Sequence, residues 1–417
     1  MSSSQPANTD SDPAPGMISV DQALAFMLAR ARPLEQTESV ALTDALGRVL
    51  ARAETSPIDV PGYANSSMDG YAVRASDAAG DGPVSLRVAQ RIAAGDTGVA
   101  LMAGEAARIF TGAPLPEGAD AVVIQEDCSQ VGEQVSFRGP VNAGDNIRPR
   151  GNDIVAGSEI LAAGTRLRPQ ELGLAASVGL ARLDVVRRLR VGIFSSGDEL
   201  VQPGKPLFPG AIYNSNRYTL LGLLSALGCE TMDLGSVEDS LEATEAALIE
   251  AADASDVVVT SGGMSVGDED HVKRAVERAG QLEMWRVAVK PGKPLAYGRI
   301  GTADFVGLPG NPVSTLLTFC LFVRPFLLRR QGVPAVLCQA LELPAAFRWP
   351  RPGRRREYLR ARLQQGDDGV TVGIYPKQGS DVLTSTVWAD GLVEIREGDT
   401  VEPGDLVPYY SFAELLS

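Results

Sequence analysis

Between residues 190 and 331 short apolar runs alternate with helical patterns, and this alternation constrains the fold more than any other feature of the chain. The apolar runs fall at 190–194, 257–260, 285–289 and 304–308, with a weaker one near 231–234. Helical spacing fills 214–227, 240–252, 268–280 and 313–331. Strands separated by helices of this length build βαβ units, and so predict a largely parallel sheet. The stretch 256–273, DVVVTSGGMSVGDEDHVK, is its centre. Val257, Val258 and Val259 form the continuous apolar run that a strand buried on both faces requires. Thr260-Ser261-Gly262-Gly263 then breaks the run, and tandem glycine lets a backbone approach a ligand closely. Open α/β sheets place their ligands there, beyond the carboxyl ends of strands.

The flanks are organised differently. Residues 1–16 read as a disordered tail, with neither the basic start nor the apolar centre of a signal peptide. A helix is expected over 18–31, where Ser19 and Gln22 fit a capping box, and a second short one over 40–52. From NSSMDGYAVR at 65–74 to about residue 140 short alternating strands (SLRVAQRI, ARIFTG, ADAVVIQED, QVSFRG) lie between Gly/Pro turns, as in a small inserted β domain. Residues 145–184 are mixed, with a helix from Pro169 to Val178. Residues 335–410 return to short strands. The expected domains are therefore 17–55 with 145–184 as a linking α+β domain, 56–144 as a β-rich lid, 185–331 as the α/β centre and 332–417 as a C-terminal β domain.

Composition removes several functions. A net charge of −14 argues against nonspecific nucleic-acid or anionic-membrane binding. The longest apolar candidate, 305–328, is interrupted by Pro309, Pro312, Arg324 and Pro325, so no membrane span is expected. The four cysteines are scattered without C-x-x-C, which points to a reducing cytoplasm. His271 is the only histidine, which eliminates histidine triads and two-histidine metal sites within one chain. Any metal acting here should be a hard cation on oxygen ligands, which favours magnesium.

Four strand ends in the α/β block carry loops richer in Gly, Pro and polar groups than packing needs. They are Ser195-Ser196-Gly197 with Asp198 and Glu199; Ser261-Gly262-Gly263; Lys290 and Lys293 around a Pro-Gly turn; and Pro309-Gly310-Asn311-Pro312, followed by Ser314 and Thr315. Parallel strands bring such ends to one sheet edge. Glycine N–H groups, helix N-termini and lysines suit phosphate. Asp198, Glu199, Asp239 and Asp270 add carboxylates, which beside phosphate call for a divalent cation between them. Each loop alone is more often only a strand–helix turn, and it is their joint occurrence that points to a site. G-x-x-x-x-G-K-[ST] is absent, which excludes a P-loop.

Read together, MDGYAV, TGAPLPEGADAVV, SSGDEL, YNSN, TSGGMSVGDED with Lys273, KPGKP and GLPGNPVS resemble, in this order, the molybdopterin molybdenumtransferase family. These are the bacterial MoeA proteins, similar to the gephyrin E domain. The match runs from about residue 18 to about residue 410. The resemblance implies an elongated, multi-domain homodimer. Its central three-layer α/β domain is similar to molybdopterin adenylyltransferase, with a mostly parallel sheet, beside smaller α+β and all-β domains. It also implies the reaction of adenylylated molybdopterin with molybdate, assisted by Mg²⁺, to give molybdenum cofactor and AMP.

Carried over by motif, Asp69 and Thr111 are lid residues that reach the partner subunit's cleft. Glu199, Asp239 and Asp270 form the acidic cluster for Mg²⁺ or for positioning the attacking group. Ser196, Gly197, Ser261, Gly262, Gly263, Lys273 and Gly310 belong to the ligand loops. Lys290, Lys293, Pro309 and Pro312 line the pterin and phosphate path. Lys293, Ser314, Arg360 and Ser380 are the expected molybdate contacts, from the short motifs REYLRA and KQGS. Arg286 stands where many relatives have Lys, Met264 replaces a commoner small β-branched residue and Ser196 a commoner Thr; none removes a required charge or hydroxyl. A molybdopterin adenylyltransferase and recipient molybdoenzymes are the implied partners, with no nucleic acid or membrane. Two other readings stand beside this one, a gephyrin-type scaffold and a molybdopterin adenylyltransferase. The intact set Asp69, Glu199, Asp239 and Asp270 favours the insertase over the first, and the extra lid and C-terminal domains argue against the second.

Overall fold

The structure is a computed structural model and describes residues 17–263, 271–366 and 369–417. The chain divides into two compact units, one comprising residues up to Glu38, Gly47–Ala51 and Val185–Ser417, the other Ser39–Leu46 and Arg52–Asp184.

The larger unit opens with α1 (Val20–Arg30). Ser19 Oγ accepts from Gln22 N at 3.1 Å while Gln22 Oε1 accepts from Ser19 N at 3.0 Å, the expected capping box. Val20, Ala23 and Met27 recur at helical spacing and enter the same apolar core as Leu189, Leu317 and Phe326. The sequence reading groups this helix with residues 145–184. Its buried face instead packs in the α/β unit. The expected helix over 40–52 does not form. Thr37–Ala41 is a strand, Leu42–Asp44 makes one 3₁₀ turn, and Gly47 at φ +73° stops any continuation.

The smaller unit contains a six-stranded sheet built from β1 (Gly70–Val73), β2 (Pro83–Ile92), β3 (Glu105–Ile109), β4 (Ala121–Ile124), β5 (Ser129–Val131) and β6 (Gln134–Arg138). Their spatial order is β4-β1-β3-β2-β6-β5, antiparallel except for β2 with β3. Alternating side chains feed a core on each face, with Tyr71, Val73 and Phe137 on one and Ala72, Ile92 and Ile109 on the other. α2 (Pro169–Ser177) follows, with proline in its first turn.

In the larger unit β7 (Arg190–Ser196), α3 (Ser215–Ala226), β8 (Glu230–Val237), α4 (Leu241–Ala254), β9 (Val257–Ser261), α5 (His271–Ala279), β10 (Gly280–Arg286), β11 (Val289–Lys290), β12 (Pro294–Ile300) and β13 (Ala303–Leu308) succeed one another. The central sheet runs β8-β7-β9-β13-β12-β10, its first four strands parallel. Val257 and Val259 pack with Leu220, Leu224 and Leu317, whereas Val258 packs with Leu248, Ala251 and Val276. The period-2 alternation of β9 thus places helices on both faces, the three-layer arrangement expected. The apolar run at 285–289 is split between β10 and β11, and β12 is a strand that the pattern of apolar runs does not mark.

α6 (Pro312–Arg330) is one helical stretch with a π turn at Phe319–Val323. The widened turn precedes Pro325, whose missing N–H would otherwise break the ladder. By length and mean hydropathy, 1.3, α6 could cross a membrane, but 83% of that window is buried in the unit, which makes it a core helix. Inside it Arg324 is held by the carbonyls of Val336 and Ser417, both at 3.0 Å. Beyond α6 come β14 (Leu341–Pro344), β15 (Arg356–Gly366), β16 (Gly369–Ile374), α7 (Thr384–Trp388), β17 (Gly391–Ile395), β18 (Leu406–Ser411) and α8 (Phe412–Leu415). Their sheet runs β11-β15-β17-β18-β14, with β16 also on β15.

Candidate active site

Strand direction builds the site. β7, β9 and β13 are parallel and end at Ser196, Ser261 and Leu308 on one sheet edge. β12 is antiparallel to β13, and β10 antiparallel to β12, so two reversals cancel and β10 ends on that same edge. All four expected loops therefore converge, and they enclose a cavity of about 660 Å³. Ser196 and Glu199 line it from the first loop, Ser261, Gly262 and Gly263 from the second, Lys290 and Lys293 from the third, and Pro309, Gly310 and Ser314 from the fourth. The C-terminal domain supplies a further wall, Arg355 just before β15 and Gln378, Gly379 and Ser380 in the loop after β16.

Glycine is needed at the floor. Gly262 holds φ +92°, and a Cβ there would lie 2.9 Å from the carbonyl oxygen of Ser196. Gly310 faces it, since a Cβ on Gly310 would stand 3.6 Å from Gly262 Cα. Asn216, near the start of α3, donates from Nδ2 to the Gly310 carbonyl at 2.7 Å. Gly197, at φ +149°, does not line the cavity, but any Cβ there would strike the Glu199 carboxylate at 2.6 Å.

The charged groups divide. Lys290 Nζ lies 3.1 Å from the carboxylate of buried Glu357. Lys293 lines the cavity and has no carboxylate partner among the described residues. Asp239 accepts from Ser196 Oγ at 2.8 Å and from the side of its own backbone donates to Asp198 Oδ1 at 3.3 Å, yet its side chain is not part of the lining. Asp270 lies outside the described residues. Among the described residues no group of three or more His, Cys, Asp and Glu side chains could hold a metal ion.

Three expected contacts are placed elsewhere. Lys273 sits on α5 with Glu277 at 3.9 Å and does not line the cavity. Pro312 opens α6 behind the Pro309–Asn311 loop and is likewise not in the lining. Arg360 is fully buried; its Nε donates to Ser385 Oγ and its Nη2 to the Gly379 carbonyl, each at 3.0 Å. Burial brings the guanidinium down to about 10, and Nη1 has no partner. It supports the cavity wall from behind, through Gly379.

Asp69 and Thr111 lie in the smaller unit and are bonded to each other. Asp69 Oδ1 accepts from both the backbone N and the Oγ1 of Thr111 at 2.8 Å. The backbone donor first, then the hydroxyl and the nearby Arg108 guanidinium, hold this carboxyl below the ordinary range.

Comparison with known proteins agrees with this architecture over most of the described chain. Residues 18–179 match the MoeA N-terminal region (domains I and II), 192–329 a probable molybdopterin-binding domain, and 342–412 the MoeA C-terminal region (domain IV). The molybdopterin molybdenumtransferase of Haemophilus influenzae is 43% identical over 318 residues, 76% of this chain and 78% of the relative. Molybdopterin molybdenumtransferase 2 of Mycobacterium tuberculosis is 38% identical over 397 residues, 91% of this chain and 94% of the relative. The chain belongs to the MoeA family of molybdopterin molybdenumtransferases. A crystal structure of a molybdopterin biosynthesis MoeA protein from Pyrococcus horikoshii superposes with a TM-score of 0.77 at 34% identity, covering 95% of this chain and 99% of that one.

Several residues that line the cavity of this MoeA-family chain escape sequence reasoning: Ile212, Asn216, Arg355, Gln378 and Gly379. Asn216 belongs to YNSN and Gln378-Gly379 to KQGS, so those motifs mark the region without singling out the side chains. Arg355 carries no such signal, being one of three consecutive arginines.

Proposed function

We propose that this MoeA-family chain inserts molybdenum into adenylylated molybdopterin, taking molybdate as the metal source and releasing AMP. The observation that carries this reading is the meeting of four strand-end loops in one cavity, with glycine at its floor and cations at its wall. Gly262, Gly263 and Gly310 present backbone without side chains at the cavity surface, where a bulky ligand can approach closely. Lys290 and Lys293 stabilise charge that develops on the phosphoanhydride as AMP departs, an electrostatic role for groups already in place. Ser314 and Ser380 offer hydroxyls and Lys293 a charge for molybdate. Arg360 contributes through the wall it supports, and its unpartnered Nη1 suits an oxyanion that reaches it. No covalent intermediate is required, and among the described residues no cysteine lines the cavity.

Magnesium, when bound, screens the substrate phosphates from the carboxylates. The described residues fit it only in part, so we propose that it arrives with the phosphates, with Glu199 as the protein's carboxylate and Asp270 as the second expected ligand. We also propose a homodimer in which the partner subunit's Asp69 and Thr111 complete the site. A molybdopterin adenylyltransferase would supply the substrate and molybdoenzymes would accept the product.

Reconstitution of a molybdenum-free apo-molybdoenzyme tests the reading. The purified chain with adenylylated molybdopterin, molybdate and Mg²⁺ should restore activity, and omission of molybdate should abolish it. Tight pterin binding without any restoration would instead support a scaffold. Pyrophosphate formed from ATP and molybdopterin would support an adenylyltransferase.

A further inference from the structure

Arg354, Arg355 and Arg356 follow one another into β15, and their side chains meet three different fates. Arg354 is exposed. Arg356 is committed to carboxylates, with Nη1 and Nη2 on Asp21 at 2.9 and 2.8 Å and Nε 3.5 Å from Glu397. Arg355 lines the cavity. Its Nη1 donates to the carbonyl oxygen of Val289 at 3.3 Å. Val289 belongs to β11, which pairs in parallel with β15 through Val289–Arg356 and Lys290–Glu357. The guanidinium is thus tied beside the turn that carries Lys290 and Lys293.

This tie leaves Arg355 in an unusual electrostatic position for a chain of net charge −14. Lys290 is matched by Glu357 at 3.1 Å. Arg360 is buried behind Gly379. Among the described residues, Arg355 and Lys293 are the cavity-lining cations with no carboxylate within ion-pair distance. Because Nη1 is spent on a backbone carbonyl, the Nε–Nη2 edge remains, with two parallel N–H donors. That edge matches two oxygens of a tetrahedral anion, whereas an ammonium offers only a point charge.

We infer that Arg355 is an oxyanion-binding residue of this cavity, gripping a tetrahedral dianion by its Nε–Nη2 edge beside Lys293. The inference rests on the molybdenum-insertion reading and adds a ligand contact that the family motifs do not mark. Two dianions of that shape belong to the proposed reaction, molybdate and the phosphate of AMP, and both present the same chemistry to the fork.

Titration calorimetry on the full chain at fixed ionic strength, with molybdate and AMP in separate experiments, tests it. Wild type, R355Q and R355K are compared, with thermal melting as the check on folding. R355Q should weaken at least one of the two anions by tenfold or more, and the anion that loses affinity identifies which dianion the fork holds. R355K should recover only part of that loss, because it restores charge without the fork. Both anions bound by R355Q within about twofold of wild type would overturn the inference. R355K binding as tightly as wild type would overturn the two-point grip. If the wild type binds neither anion, the molybdenum-insertion reading of the cavity fails, whatever the variants do.

Discussion

Asn216 Nδ2 donates to the carbonyl oxygen of Gly310 at 2.7 Å, so the helix after the first strand of the α/β sheet holds the loop after its last parallel strand. The two residues are far apart in sequence, and this bond fixes the cavity floor across the sheet edge. Asn216→Ala removes this partner from the Gly310 carbonyl, which stands exposed at the cavity wall. It should cost about 0.5–1.5 kcal/mol of stability, read by chemical denaturation, and weaken ligand binding further by loosening the loop. Asn216→Asp should be at least as damaging, since it sets a carboxylate against that carbonyl.

Gly262 and Gly310 face each other but should respond differently to an added methyl. Gly262→Ala forces a side chain into φ +92° and towards the Ser196 oxygen at 2.9 Å, so about 1–3 kcal/mol of stability should be lost. Gly310→Ala meets only an ordinary contact at 3.6 Å and should fold nearly as the wild type does. Denaturation midpoints of the two variants check the contrast.

Asp256 anchors β9 to β7. It accepts from Arg187 at 2.7 and 2.8 Å and from the Arg190 backbone N at 2.8 Å. Burial pushes this carboxyl up, but these bonds outweigh it and the net direction is below 3.8. A depressed folded value stabilises the fold above the unfolded value, and that contribution disappears as pH falls through the folded one. Asp256→Asn should cost about 3 kcal/mol at neutral pH, and the variant should show a shallower loss of stability below about pH 4.

Thr111→Val removes the hydroxyl donor to Asp69 and keeps the backbone donor. The Asp69 carboxyl should therefore titrate at a higher pH than in the wild type while remaining below its ordinary 3.8. Carboxyl carbon shifts followed by NMR through acid pH measure both values. An unchanged titration would mean that the backbone donor and Arg108 suffice.

The sequence made the centre of the fold legible because local pattern and global packing agree there. Val257–Val259 read as a strand buried on both faces, and their side chains do enter two separate cores. Ser19 and Gln22 marked the start of α1 through a bond made within one turn. Where pairing decides, the signal was lost. β12 hides in a Pro- and Gly-containing stretch, and only its place between β10 and β13 makes it a strand. Residues 40–52 carry helical spacing, but the chain there turns at Gly47.

The site was legible to the same degree. Glycine, lysine and proline at strand ends are visible in one dimension, and strand direction alone brings them together. Side-chain orientation in the C-terminal sheet is not visible. Arg360 was expected in the cavity and is buried behind it, whereas Arg355 read as one arginine of a run and faces the cavity. Adjacent residues of an extended chain point opposite ways, and no local pattern tells which parity faces the ligand.

Single-turnover release of AMP tests the central claim most directly. Enzyme in excess over adenylylated molybdopterin, with Mg²⁺, should release one AMP per pterin when molybdate is added, and little without it. Lys293→Gln should slow that step by about 10²-fold or more while the chain remains folded. AMP release that ignores molybdate, or that proceeds at the wild-type rate in Lys293→Gln, would contradict the account.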